Sequence, residues 1–320
     1  MSTGFFTHPI YLEHDTGAHP EHAGRLQAIR SRLEGDPLWE QLELCSGRRA
    51  EIHEVNLLHT RQHIDQVQQA AESGRSTLSS PDCVLSPKTF EAAMHAVGSV
   101  LDAVQQVATG RLDNAFCAVR PPGHHAEQGE AMGFCFFNNI ALAAEFLIRE
   151  VGLQRVAIMD FDVHHGNGTQ HLFEERSDVF FISTHQHPRT CYPGTGFAEE
   201  RGVGAGAGYT LNVPLLPGTE DAEYLQQFRQ VVLPALEAYR PEFLLVSAGF
   251  DAHRADPLAS LNLTETAFRE VSRALVQVAE RCCSGKVVSL LEGGYDLEAL
   301  ASSVQEHIRE WTGCPHTGVA

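Results

Sequence analysis

The chain has 320 residues, 43% of them hydrophobic, enough to bury the core of one large α/β domain or two small ones. Its formal net charge of −18 argues against non-specific nucleic-acid binding, which needs a basic surface, and would favour the approach of cationic substrates. Residues 1–15 have neither a basic start nor a long apolar run. No window approaches the roughly 18 apolar residues of a membrane span, so a soluble, cytoplasmic protein is expected.

From about residue 86, apolar strands alternate with amphipathic helices. Ser86 is placed to cap a helix that starts at Pro87 and runs towards Gly110. Strands are predicted at residues 115–119, 155–159, 179–184, 209–213, 243–248 and 287–291. Helices are predicted at 138–151 (ending at Gly152), 220–239, 264–281 and 296–311. This alternation implies a parallel sheet with helices on both faces. No stretch resembles a linker and no repeat is present, so a single domain over residues 1–320 is expected. The glycine-rich piece 193–208 lacks GxxxxGK[ST] and opens no helix, which makes it a shaped surface loop rather than a phosphate cradle. Eight cysteines (Cys45, Cys83, Cys117, Cys135, Cys191, Cys282, Cys283, Cys314) include no CxxC pair. Disulfides and a zinc–cysteine site are therefore not expected, and Cys117 and Cys135 read as small buried hydrophobes.

Four polar clusters fall just past the carboxyl ends of predicted strands, where open α/β sheets place their sites. They are His124-His125, Asp160 to His165, Phe250-Asp251-Ala252-His253 and Gly293-Gly294-Tyr295. Asp162 and His164 are two apart, so in an extended segment both point the same way, and Asp160 shares their face. A carboxylate and an imidazole so placed are a pair of ligands for a divalent metal.

Several segments taken together resemble the histone deacetylase family of the arginase–deacetylase superfamily. They are Arg120-Pro121-Pro122-Gly123-His124-His125-Ala126, Gly133-Phe134-Cys135, Asp160 to Gly168, Tyr192-Pro193-Gly194-Thr195-Gly196, Ala248-Gly249-Phe250-Asp251 and Glu292-Gly293-Gly294-Tyr295. His19-Pro20-Glu21 and Arg25 fit the family's opening segment, and the likeness runs from about residue 5 to residue 310. Asn167 and Leu291-Glu292-Gly293-Gly294-Tyr295 bring the chain nearer to class II deacetylases and their bacterial relatives than to class I.

The resemblance implies a three-layer α/β/α domain with a mainly parallel sheet. It implies one catalytic Zn²⁺ on Asp162, His164 and Asp251, acting as a Lewis acid, although two carboxylate ligands would let other divalent metals compete. His125 would take and return the proton, His124 paired with Asp160 would stay cationic, and Tyr295 would donate to the oxyanion. Asn167 stands where class I has an aspartate behind the second histidine, which leaves His125 more often neutral. Phe134 and Tyr192, beside Gly133, would line a narrow acyl-lysine tunnel. Leu258 stands where a polyamine-specific relative carries a glutamate, and Asp82 is a candidate rim residue. The resemblance also implies structural K⁺: Asp160, Asp162, His164, Ser183 and Thr184 at an inner site, and Phe173, Arg176, Val179 and Tyr209 at a second. The expected substrate is an acetylated lysine in a peptide or protein, or a small acylated amine. An acetylpolyamine hydrolase and a non-catalytic acetyl-lysine-binding protein remain as alternatives, a binuclear arginase-like enzyme less so, and oligomeric state is left open.

Overall fold

The computed structural model describes residues 1–313, so Cys314 lies outside the described residues. Among the described residues there are ten strands: β1 (Thr3–Thr7), β2 (Leu42–Ser46), β3 (Thr77–Leu78), β4 (Ser80–Val84), β5 (Asn114–Cys117), β6 (Val156–Asp160), β7 (Val179–Gln186), β8 (Thr210–Leu215), β9 (Phe243–Ala248) and β10 (Val287–Leu291). Eight of them form one sheet in the order β2-β1-β5-β10-β9-β6-β7-β8, every pairing parallel; β3 and β4 form a separate antiparallel hairpin. The inner strands are short apolar runs such as Val156-Ala157-Ile158-Met159 and are buried along their whole length, as a parallel sheet covered on both faces requires.

The covering helices fall into two groups. Thr89–Ala108 and Asn139–Arg149 pack on each other and on β1, β5, β6, β9 and β10. Gly24–Glu34, Glu265–Cys283 and Leu297–Thr312 pack together, with Glu265–Cys283 against β9 and β10. Side-chain caps start three of these helices: Asn138 accepts from Ala141 N–H, Thr264 from Thr266 N–H and Asp296 from Ala299 N–H. The expected three-layer, parallel α/β/α architecture is the one found.

Several local expectations need correction. The helix after Ser86 starts at Thr89, because Ser86 N–H donates to Thr89 Oγ1 at 2.7 Å and residues 86–88 form a turn instead. The predicted helix 220–239 is two helices, Asp221–Gln227 and Leu233–Tyr239, joined by a π-helical turn at Phe228–Val232. Pro234, in the first turn of the later piece, has no N–H to donate and its ring crowds the preceding turn, so the helix widens there. β6 includes Asp160, and the chain turns out of the sheet directly after it. The extended geometry invoked for Asp162 and His164 therefore does not hold; both stand in the loop before the helix Asn167–Phe173. Before residue 86, where the sequence pattern names no element, β1 and β2 complete one edge of the sheet.

Candidate active site

The loops after β5, β6, β9 and β10 converge at the carboxyl edge of the sheet. β6 and β9 run in register, with Asp160 opposite Ser247, which brings the loop after Asp160 against the loop that carries Asp251. Asp162 Oδ1 accepts His164 N–H at 2.8 Å, a local turn that swings the imidazole back over the carboxylate. His164 Nδ1 then lies 3.0 Å from Asp162 Oδ1 and 3.2 Å from Asp251 Oδ2. One ligand atom from each of the three side chains lies within 4.8 Å of the other two. Among the described residues this is the one such group of three or more His, Cys, Asp or Glu side chains.

Backbone donors hold the carboxylates in place: Gly293 N–H to Asp162 Oδ2 at 2.8 Å and Val163 N–H to Asp251 Oδ1 at 2.9 Å. Two glycines make room for them. A Cβ on Gly249 would meet Asp162 Oδ2 at 2.0 Å, and one on Gly293 would meet Asp251 Oδ2 at 1.9 Å. Two buried carboxylates and one imidazole within reach of one another form a donor set suited to a divalent cation, with His124 Nε2 4.0 Å from Asp162 Oδ2 as a further positive group at its edge. Three protein ligands would leave room for water and substrate. The residues therefore fit the zinc that the family resemblance implies.

The two histidines behind Pro121-Pro122-Gly123 stand with their rings 4.0 Å apart and differ in their partners. Burial disfavours charge on His124, but Asp160, Asp162 and Glu292 outweigh it and push its pKa up, with Nδ1 at 3.0 Å from Asp160 Oδ2. His125 is pushed well down, first by burial and then by the positive charge of His124 and His164. Its Nδ1 lies 2.7 Å from Asn167 Oδ1, an acceptor, so the ring donates there and Nε2 is left with its lone pair. One histidine is thus held cationic and its neighbour neutral. Gly133 (φ +53°) lies so close to this ring that a Cβ would meet His125 Cδ2 at 2.3 Å.

A cavity of about 250 Å³ opens on these groups, lined by Asp82, Gly133, Phe134, Tyr192, Leu258 and Tyr295 together with His124, His125 and His164. Tyr192 sets its ring edge-on to His125 at 5.1 Å, and Phe134 does the same to Tyr295 at 5.8 Å. Phe134 has φ +69°, a left-handed conformation rare for a bulky residue and found where local structure over-determines it. Burial, above all, keeps the Tyr295 hydroxyl protonated far above the ordinary phenol range. Asp82 sits on the β4 strand of the hairpin, and Leu258 and Tyr192 are the exposed members of the wall.

The residues named for monovalent ions are placed as follows. Asp160 and Ser183 are cross-strand partners on β6 and β7. Ser183 Oγ bonds His185 Nδ1 and Thr184 Oγ1 bonds Tyr224 OH, each at 2.8 Å. Arg176 lies over the Phe173 ring, Val179 begins β7, and Tyr209 C=O accepts from Phe181 N–H at 3.1 Å.

Four acids escaped sequence reasoning. Glu292, fully buried, accepts from Gly123 N–H (2.7 Å), His124 N–H (3.2 Å) and Ser247 Oγ–H (2.9 Å), tying the loops after β5 and β10 to the end of β9. Asp256 accepts from the backbone N–H of Tyr295 (2.7 Å) and of Leu258 (3.0 Å). Glu21 binds Arg120 and Arg25, and Arg25 in turn donates to Gly294 C=O at 2.7 Å and lies over the Tyr295 ring at 5.0 Å. Glu127 meets the Asn167 amide nitrogen at 2.6 Å. Glu292 and Glu21 stood inside the quoted motifs, but only the fold shows what each one holds.

An eight-stranded parallel sheet with this acid–imidazole site at its carboxyl edge is the arginase–deacetylase fold. The crystal structure of an HDA15 HD domain superposes with a TM-score of 0.92 at 37% identity, over 99% of this chain and 91% of that one. A model of the histone deacetylase domain matches residues 19–311. An Archaeoglobus fulgidus protein named "Probable deacetylase" is 38% identical over 93% of this chain and 82% of its own length. A Pseudomonas aeruginosa histone deacetylase-like amidohydrolase is 35% identical over 97% of this chain and 89% of its own length. The chain belongs to the histone deacetylase family.

Proposed function

We propose that the protein hydrolyses the amide of an acyl-lysine or a similar acylated amine, with Zn²⁺ held by Asp162, His164 and Asp251. The observation that carries this reading is the convergence, on one 250 Å³ cavity, of His164 with the two carboxylates buried behind it, a histidine pair split into cationic and neutral members, and Tyr295. When bound, the metal supplies Lewis acidity to the acyl oxygen and to the attacking water.

His125 Nε2 takes the proton of the attacking water and delivers a proton to the departing amine nitrogen. Its opposite nitrogen is fixed on Asn167, so the ring cannot change tautomer during the transfer. His124, kept cationic by Asp160, stabilises the negative charge that develops, and Tyr295 donates its hydroxyl to the oxyanion of the tetrahedral intermediate. Phe134 and Tyr192 enclose the methylenes that carry the amide, and Asp82 offers an acceptor at the mouth for the substrate backbone. Structural K⁺ at the two groups of residues named above belongs to the same proposal, supported by the pairing of Asp160 with Ser183 beside the ligand loop.

Leu258 favours a lysine-type substrate over a polyamine, because an apolar side chain at the mouth offers nothing to a second ammonium. The test is acyl release by zinc-loaded protein from an acetyl-lysine peptide and from an N-acetylpolyamine, compared as kcat/KM. A higher value for the peptide supports the assignment. Turnover of the polyamine alone would move it to small-molecule amides, and turnover of neither would contradict it.

A further inference from the structure

Asn167 gives His125 an acceptor, but an amide can also present its nitrogen. Asparagine turned through 180° has nearly the same shape, with donor and acceptor exchanged. In the orientation found, Oδ1 faces His125 Nδ1 at 2.7 Å, so the ring proton sits on Nδ1 and the Nε2 lone pair is free. In the turned orientation the NH₂ group would donate to Nδ1, the proton would move to Nε2, and the base would be lost. A carboxylate at this position could not err in this way; the amide needs a third group to orient it.

Glu127 lies where such a group has to be. Its Oε1 is 2.6 Å from Asn167 Nδ2, whose other close contacts are His125 C=O at 3.3 Å and Met132 Sδ at 3.3 Å. An ionised carboxylate only accepts, so turning the amide would set two acceptor oxygens against each other. The same Oε1 accepts from His171 Nδ1 at 2.9 Å. His171 stands one turn beyond Asn167 on the helix Asn167–Phe173, so one helix face clamps the carboxylate at two points. The turn Glu127–Glu130, closed by Glu127 N–H to Glu130 C=O at 3.0 Å, fixes the backbone that carries it. Glu127 follows His125 by two residues, and the side chain is partly shielded from solvent.

We propose that Glu127 is a positioning residue that orients the Asn167 amide and thereby fixes His125 in the tautomer that leaves Nε2 free as base. This rests on the reading of His125 as the base and extends it outward by two hydrogen bonds. The negative charge that a carboxylate would put directly on the imidazole is moved one group away. The tautomer is thereby fixed without making the imidazolium more stable.

The experiment uses zinc-loaded protein, an acetyl-lysine peptide, and the variants E127A, E127Q, N167A and E127A/N167A, each checked for cooperative melting. E127A is expected to lower kcat about tenfold with KM nearly unchanged, as loss of an outer-shell partner does. E127Q, whose Oε1 still accepts, should keep most of the activity. Added to N167A, E127A should cost nothing further, since its effect runs through the amide. Independently of turnover, the ¹⁵N resonances of the His125 ring, identified by their absence in H125A, should show the Nδ1–H tautomer in the wild type and a mixture in E127A. If E127A does not fold, E127L, which fills the space but offers Asn167 Nδ2 no acceptor, is read in the same way. Wild-type kcat in E127A, losses that multiply in the double variant, or an unchanged His125 tautomer would overturn the proposal. A wild type that turns over no acyl amide would count against the function instead, and the tautomer measurement would still decide the role of Glu127.

Discussion

Gly293→Ala probes how the ligand group is held. Gly293 does not have a left-handed backbone, so alanine can adopt its conformation and the effect is steric alone. The new methyl group would stand 1.9 Å from Asp251 Oδ2 and 2.6 Å from Asp162 Oδ2, whereas such contacts essentially never fall below 3.0 Å. Asp251 must retreat by about 1 Å, several times the roughly 0.2 Å that metal–ligand distances tolerate. Two of the three ligands are struck at once, so zinc affinity should fall by at least about 100-fold, the upper end of what outer-shell changes cause. Overpacking should also cost the metal-free protein about 1–3 kcal/mol. Competition against a chelator of known affinity reads the first effect, and urea unfolding reads the second. Gly35→Ala is the control: with φ −83° and its nearest neighbours at 3.6 Å, it should leave zinc affinity unchanged and raise stability by no more than about 1 kcal/mol. If Gly293→Ala bound zinc within threefold of the wild type, the geometry assigned to Asp162 and Asp251 would be wrong.

Tyr295→Phe should lower kcat by about 10²–10³ through loss of the oxyanion donor, with zinc retained in elemental analysis; near-normal turnover would remove the role. Asn167→Asp, combined with Glu127→Gln so that no two carboxylates face each other, should raise the apparent pKa on the acid limb of the kcat/KM profile, because a carboxylate stabilises the His125 imidazolium more than an amide does. An unmoved limb would contradict the pairing at 2.7 Å. Glu21 gives a test on stability. Burial alone would raise its pKa, but Arg120 and Arg25 outweigh it and hold it at about 2, against 4.5 ordinarily. Because the folded value is depressed, this contribution, about 3 kcal/mol, is full above roughly pH 4.5 and is lost as pH falls towards 2. Unfolding free energies taken down that window should fall more steeply in the wild type than in Glu21→Gln, and equal slopes would refute the ion cluster.

What was legible in the sequence follows from the physics of each element. The inner strands were visible because burial on both faces leaves them uninterrupted apolar runs, and 243–248 and 287–291 match β9 and β10 residue for residue. β1 and β2 were not visible. The first, Thr3–Thr7, has only Phe5-Phe6 as an apolar run between threonines and a glycine, and the second alternates buried with more exposed positions at the sheet edge. The ligand and histidine residues were found because polar groups past strand ends are conspicuous. Their geometry was not, since Asp162 and His164 converge through a turn rather than along a strand. Least legible were acids acting through the backbone or through another side chain. Asp256 reaches Tyr295 through its N–H, and Glu127 reaches His125 through Asn167. Neither contact follows from spacing.

Acetate release from an acetyl-lysine peptide by zinc-loaded wild type, with Asp251→Ala alongside, tests the central claim most directly. The account predicts turnover that chelator abolishes and zinc restores, and that is absent from the variant although its sheet remains folded. Turnover that survives loss of Asp251, or no turnover by a wild type holding stoichiometric zinc, would contradict it.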